Sequence, residues 1–259
     1  MDNSIIQNPN DNIVFEGMTC ISALLHALDD HSSRRNIIEI LFDKDKASSK
    51  RRELGFLKAK AIQHNFKLTL VSKETIDQIT NGNTHGGIVA VCTQRTIPYL
   101  STELINKNGV YYIFEGIEDP YNFGYMIRSV YAAGADGIIM SPRNWLSAAS
   151  VVAKSSAGTS ELIDMFISEP VDAVEVFKSL GFKVICAGIR DSENVYDADL
   201  KQPLLVIIGG EKRGISRSIL DKADKIVRID YGREFRGSLP SVAATSIISF
   251  EILRKNKTN

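Results

Sequence analysis

Cysteine is scarce in this 259-residue chain: Cys20, Cys92 and Cys186 are the only three, and no two form a CxxC pair. An odd, widely spaced set excludes a complete intrachain disulfide framework and offers no zinc site, so reduced thiols and no metal are expected. Charge of one sign is lacking as well. Lys plus Arg and Asp plus Glu each count 31, so no net field advertises a polyanionic partner, and only a local patch can serve one. No apolar run approaches the roughly 20 residues that cross a bilayer. Met1 to Asn12 is polar and carries no basic–apolar signal pattern. These absences predict a soluble, cytoplasmic protein with no membrane partner. A GxGxxG fingerprint is also missing, which removes support for an ordinary Rossmann dinucleotide site.

What is present is globular. Apolar residues make up 44% and charged residues 24%, enough for a sizeable core, and the length favours two domains. Residues 1–95 read as a small α/β domain. Gly17–Leu28 has Ile21, Leu24, Leu25 and Leu28 on one helical face. Ile37–Phe42 and Phe66–Val71 read as strands, and Ser48 or Ser49 can cap a helix running to about His64. Gly86-Gly87 opens a further strand at Ile88–Val91. From Arg34 to Lys60 there are nine basic and four acidic residues, with Lys50, Arg51 and Arg52 consecutive. That cluster is either a solvated helix face or a surface for phosphate backbone.

Residues 96–108 read as a linker, and residues 109–259 as a second domain. There, apolar strands alternate with helices. Strands are expected at Val110–Phe114, Gly137–Met140, Lys183–Ala187, Leu204–Ile208 and Lys225–Ile229. Helices are expected near Phe123–Ala133, Trp145–Ala153, Val171–Leu180, Ser216–Asp221 and Val242–Leu253. The pattern predicts a mostly parallel sheet covered on both faces. The last helix is apolar almost all round, which implies burial on more than one side and points to a second subunit.

Ligands of open parallel sheets bind beyond the carboxyl ends of the strands, so three loops carry the functional reading. After Phe114, Asn122 is suited to cap the next helix, with Phe123, Met126, Ile127, Val130 and Tyr131 as its buried stripe. Arg128 lies off that stripe, one turn beyond Gly124. It is either a surface arginine or one aimed at a phosphate or substrate oxygen. After Ile208 comes Gly209-Gly210-Glu211-Lys-Arg-Gly214, where glycines let a ligand approach the backbone and Glu211 can order the loop or receive a hydroxyl. After Ile229, the segment Tyr231 to Arg254 carries Ser238-Leu239 into the terminal helix.

Together these pieces resemble the TrmH-type, or SpoU-type, RNA ribose 2′-O-methyltransferases of the SPOUT class. The matching motifs are Asn122-x-Gly124-x-x-x-Arg128, Gly209-x-Glu211-x-x-Gly214, and Ser238-Leu239 leading to Val242-Ala243-Ala244. Ser155-Ser156-Ala157-Gly158 is similar to the family's small-residue segment. The likeness covers about Val110 to Arg254. Gly17–Leu28 and His85-Gly86-Gly87-Ile88-Val89-Ala90 resemble the substrate-binding domain often attached to it, itself like a ribosomal RNA-binding protein.

The resemblance implies an α/β fold with a C-terminal trefoil knot, a homodimer, and S-adenosylmethionine as cofactor. It implies cofactor contacts at Gly209, Gly210, Gly214, Ile229, Ser238 and Leu239. Arg128, Asn122 and Glu211 would be the catalytic set, with Arg128 holding phosphate and polarising the hydroxyl, since a guanidinium is a poor base. The expected substrate is RNA, ribosomal more than transfer RNA. The chain departs from the pattern at Pro240, where the family usually has Asn, and at Asp230-Tyr231, where it usually has Pro-Met. Those departures leave a second reading, a catalytically silent RNA-binding dimer that shields a ribosomal site. A small-molecule methyltransferase is a third, disfavoured by the basic first domain.

Overall fold

The computed structural model describes residues 12–80, 84–142 and 148–257. The chain divides into two compact units. One is Met1–Thr96 together with Trp145–Leu162, and the other is Ile97–Asn144 together with Ile163–Asn259.

The first unit holds β1 (Ile13–Glu16), α1 (Gly17–Asp29), β2 (Ile37–Asp43), α2 (Arg51–His64), β3 (Lys67–Val71), α3 (Lys73–Asp77) and β4 (Ile88–Cys92). The sheet order is β1-β4-β2-β3. The β2–β3 pair is parallel, and β4 runs antiparallel to both β1 and β2. α1 buries Ile21, Leu24 and Leu25 against Phe15, Ile40, Phe42 and Ile88, and α2 adds Leu57. Leu28, expected in the buried stripe, is half-buried at its margin. α2 starts after Lys50 without a side-chain cap, so neither Ser48 nor Ser49 serves there. It stops at Asn65, whose φ of 54° is the left-handed turn that ends helices.

The described part of Trp145–Leu162 packs in this first unit. α5 (Ala149–Ser155) replaces the helix expected at Trp145–Ala153, of which residues 145–147 lie outside the described ones. Ala153 is fully buried in the core, and its carbonyl accepts the Cys20 thiol at 3.5 Å. A Cβ on Gly158 would stand 2.5 Å from that of Ala23. Glu161 accepts Arg35 Nε at 2.7 Å, with both side chains buried. Arg35 also donates to Thr93 O at 3.1 Å, and its guanidinium lies 4.8 Å from the Phe15 ring centre.

The second unit holds β5 (Val110–Glu115), α4 (Pro120–Ala132), β6 (Gly137–Met140), β7 (Asp164–Ile167), α6 (Pro170–Ser179), β8 (Lys183–Ala187), β9 (Glu193–Asn194), β10 (Leu204–Gly209), α7 (Arg217–Leu220), β11 (Lys225–Arg228) and α8 (Ser241–Asn256). The order is β7-β6-β5-β10-β8-β11-β9, and every neighbouring pair is parallel. Its central strands are continuous apolar runs, as a sheet covered on both faces requires. Tyr111, Ile113, Phe166, Phe177, Val184 and Ile207 share one buried cluster.

Residues 96–108 are more structured than a plain linker. Thr96 N–H donates to Arg34 O at 3.0 Å. Leu100 N–H donates to Ile167 O, and Ile167 N–H to Pro98 O, both at 2.9 Å, so this stretch extends alongside β7. All three cysteines are free and buried. Burial pushes the Cys20 thiol up to about 11 and those of Cys92 and Cys186 to about 12, so they are inert neutral groups. No helix among the described residues is long and apolar enough to cross a membrane.

Candidate active site

β5, β10 and β11 end at Glu115, Gly209 and Arg228, and in a parallel sheet the loops that follow leave from one edge. The register sets Gly209 directly beside Glu115.

In the first loop the helix cap is Asp119, correcting the expectation for Asn122. Asp119 carboxylate oxygens accept the N–H groups of Tyr121 at 3.4 Å and Asn122 at 3.1 Å. Pro120 takes the first helical position, where a missing N–H leaves nothing unsatisfied. The Asp-Pro pair was the legible signal. Asn122 is half-buried in the first turn, and its side chain makes no hydrogen bond to described residues. α4 buries Phe123, Gly124, Met126, Ile127 and Val130, whereas Tyr131 is only half-buried. Arg128 is exposed, as its position off the stripe predicts, and forms no ion pair among the described residues. α4 meets α8 through the Ser129 and Ser246 hydroxyls, 2.8 Å apart.

The glycines of the second loop let the chain's own backbone come close. A Cβ on Gly209 would stand 2.5 Å from the Gly214 carbonyl carbon, and one on Gly210 would stand 2.4 Å from Gly116 O. The space these glycines leave is filled by the chain's own backbone. Gly210 N–H donates to Glu115 O at 2.7 Å, and Gly214 N–H to Gly210 O at 2.9 Å. Gly214 has a φ of +65°, which a side chain would strain. Glu115 Oε2 accepts Ser216 N–H at 3.0 Å. Glu211 is exposed and makes no hydrogen bond to described residues, so it does not order the loop.

In the third loop β11 stops at Arg228, one residue before the expected end. Ile229 is half-buried, and its main chain makes no hydrogen bond among the described residues. Asp230 accepts Arg228 Nε and Asn194 Nδ2, both at 2.7 Å. The Tyr231 hydroxyl accepts Leu239 N–H at 3.1 Å, so this departure from the family pattern has a structural task. Ser238 is exposed and Leu239 half-buried. Pro240 precedes α8 with φ −54° and ψ 144°, and its carbonyl accepts Ala244 N–H at 3.0 Å. Ser241, absent from the expected site, is buried and donates to Gly209 O at 3.0 Å. The three loops are thus joined by backbone and by Ser241. The side chains of Asn122, Arg128, Glu211 and Ser238 remain unengaged with the described residues.

Positive charge is left over here. Lys212 pairs with Glu118 at 3.2 Å and Arg217 with Asp221 at 2.8 Å. Arg128, Arg213, Arg233 and Arg236 are exposed and unpaired among the described residues. In the first unit Arg51, Arg52 and Lys58 of α2 are exposed. Lys60 is occupied, lying 2.6 Å from Asp29, which His64 also meets at 2.7 Å. These two partners hold the Asp29 carboxyl below its ordinary range.

Two family models match the chain: the SpoU rRNA Methylase family over residues 109–250, and RNA 2′-O ribose methyltransferase substrate binding over residues 16–98. The 23S rRNA (guanosine-2′-O-)-methyltransferase RlmB of Shewanella oneidensis is 30% identical over 252 residues, covering 95% of this chain and 98% of that protein. A putative TrmH family tRNA/rRNA methyltransferase of Staphylococcus saprophyticus is 29% identical over 199 residues, covering 71% of this chain and 76% of that one. In fold, the chain is similar to the AdoMet-bound rRNA methyltransferase from Sinorhizobium meliloti. The TM-score is 0.78 at 22% identity, over 95% of this chain and 88% of that one.

Proposed function

Because this chain belongs to the SpoU rRNA methylase family, we propose that its three loops set a ribose 2′-hydroxyl of ribosomal RNA in line with the methyl group of S-adenosylmethionine. The activity is S-adenosylmethionine-dependent methyl transfer to an RNA ribose. The observation that carries the site assignment is the junction of Gly209–Gly210, Glu115–Gly116 and Ser241 at the carboxyl ends of adjacent strands.

The residues present fit the cofactor. An adenosine moiety needs main-chain donors and acceptors, and the main chains of Glu211, after β10, and of Ile229, after β11, are unengaged among the described residues. Gly209, Gly210, Gly214, Ile229, Ser238 and Leu239 are the residues that would hold it. Gly209, Gly210 and Gly214 act by fixing the loop's course, Ile229 by offering main chain, and Leu239 by its carbonyl, its N–H being held by the Tyr231 hydroxyl. S-adenosylmethionine supplies an electrophilic methyl group on a sulfonium sulfur. The knot and the cytoplasmic setting implied by the resemblance are part of the same reading, the latter supported by the three free thiols.

Methyl transfer requires alignment of oxygen, carbon and sulfur, and loss of the hydroxyl proton. Arg128, exposed and unpaired among the described residues, is placed to grip the phosphate next to the target ribose and to polarise the 2′-oxygen. Asn122, at the start of the same helix, offers an amide that can orient the ribose. Glu211 presents a carboxylate, without a partner among the described residues, for a hydroxyl.

The protein acts as a homodimer in this reading. α8 buries Ser241, Thr245, Ile248, Glu251 and Ile252, yet leaves Phe250 49% exposed and Ala243, Ile247 and Leu253 half-buried. An outward apolar strip of this kind marks a protein interface.

The test is incubation with methyl-labelled S-adenosylmethionine and ribosomal RNA from cells lacking the gene. Label is expected in RNA, at a linkage resistant to alkali because the 2′-oxygen is blocked. RNA binding without transfer would replace this reading with the silent, site-shielding dimer.

A further inference from the structure

Residues Asp230 to Ser238, between β11 and α8, are all exposed, and the segment nevertheless has an internal frame. The Tyr231 hydroxyl accepts Leu239 N–H at 3.1 Å, closing the loop across eight positions. The Tyr231 and Phe235 ring centres are 5.6 Å apart at 60°, within the range of favourable aromatic pairs. Gly237 completes the frame. A Cβ there would stand 2.6 Å from the tip of the Phe235 ring, so the glycine lets that ring lie close over the backbone. Held on two sides, Phe235 still has 57% of its surface in water. The packing against Tyr231 and Gly237 leaves the outer face of this apolar ring uncovered. On either side of it, Arg233 and Arg236 are exposed and unpaired among the described residues.

We propose that Phe235 is a stacking platform for an unpaired RNA base, and that Arg233 and Arg236 contact the flanking phosphates. The proposal rests on the methyltransferase reading above and adds a specificity element to its site. Aromatic faces accept any base, and cations beside them follow the backbone, which is how single-stranded nucleic acid is held. Asp230 is engaged by Arg228 and Asn194, and Glu234 offsets one of the two guanidiniums, but Arg233 and Arg236, unpaired among the described residues beside an exposed ring, favour RNA over a second copy of this chain. The proposal predicts that the target nucleotide lies in a loop or bulge, because a paired base has no free face.

The full-length protein is to be tested by fluorescence anisotropy with fluorescein-labelled decaadenylate and with an abasic ribose-phosphate decamer. Phe235→Ala should weaken decaadenylate binding by at least about fivefold, the equivalent of stacking one base, and leave the abasic decamer unchanged. Phe235→Trp should retain or tighten decaadenylate binding. Arg233→Ala with Arg236→Ala should lower the salt slope on both probes by about 1.4, at roughly 0.7 per phosphate on a single strand. Equal losses on both probes, or no loss on either, would overturn the platform. So would dissociation of a dimer by Phe235→Ala, or a weakened calorimetric affinity for S-adenosylmethionine, since the ring would then serve a subunit contact or the cofactor. Methylation of ribosomal RNA by the wild-type protein separates the two levels. If it fails, the broader reading falls. If it holds while Phe235→Ala behaves as wild type, only the platform falls.

Discussion

The Ser241 hydroxyl, at the first turn of α8, donates to the carbonyl of Gly209, the last residue of β10, at 3.0 Å. One side chain thereby ties the terminal helix to the glycine loop, while the side chains of Asn122, Arg128, Glu211 and Ser238 stay without a partner among the described residues. The variants below separate the residues that frame the site from those that act in it.

Arg128→Ala should reduce methyl transfer at least a hundredfold while calorimetric S-adenosylmethionine affinity stays within about twofold, because oriented charge acts chiefly in the transition state. Exposed, and unpaired among the described residues, the residue should contribute no more than about 0.5 kcal/mol to stability. Wild-type turnover in the variant would remove Arg128 from the mechanism.

Pro240→Asn should change turnover by less than about tenfold, or about 1.4 kcal/mol of barrier. Pro240 already sets the backbone before α8 and offers its carbonyl to Ala244. It supplies no capping side chain, and asparagine at that position should raise the unfolding free energy by about 1 kcal/mol. Chemical denaturation and a methylation assay on the same pair of proteins check both expectations. Activity appearing only in the asparagine variant would show that the natural protein is silent.

Lys50→Ala, Arg51→Ala and Arg52→Ala combined should weaken ribosomal RNA binding and flatten its salt dependence, by about 0.7 to 0.9 of slope for each phosphate that is no longer neutralised. Cofactor affinity should not move. Lys60→Ala serves as the contrast, since its ammonium is engaged by Asp29, and it should lower thermal stability with little effect on the slope. An unchanged slope in the triple variant would return the cluster to an ordinary solvated face.

Light scattering at micromolar concentration should give about twice the 28.6 kDa of the chain. Ile247→Glu with Phe250→Glu should shift it to the monomer, because the outward strip of α8 would then carry charge. A monomeric wild-type protein would refute the subunit interface.

The parallel sheet was legible because β5, β8 and β10 are unbroken apolar runs, a pattern that burial on both faces demands. β1, β7 and β9, two to four residues long, were not read as strands. Arg128 was legible as a residue off the buried stripe. Asn122 was misassigned as the cap because a cap is chosen by where the chain turns, and Asp119-Pro120 turns first. Gly209 and Gly210 were legible as places of close approach, and the chain's own backbone makes one such approach. A sequence marks where a backbone must be approached closely, but not whether a ligand or the chain itself makes the approach. Nothing local placed Ala153, Gly158 and Glu161 with the first unit, because their partners Cys20, Ala23 and Arg35 lie more than a hundred positions away in sequence.

That last placement bears on how the gene can be divided. α5 and Glu161 reach the first unit from a stretch encoded between β6 and β7. A fragment beginning at Ile97 would retain this stretch without its seat, leaving Ala153 uncovered and the Glu161 carboxylate without its guanidinium. Severing one partner of a buried ion pair costs about 3–5 kcal/mol. The two units therefore cannot be separated by a single cut, and an exchange of first units between relatives would have to carry both pieces of sequence together.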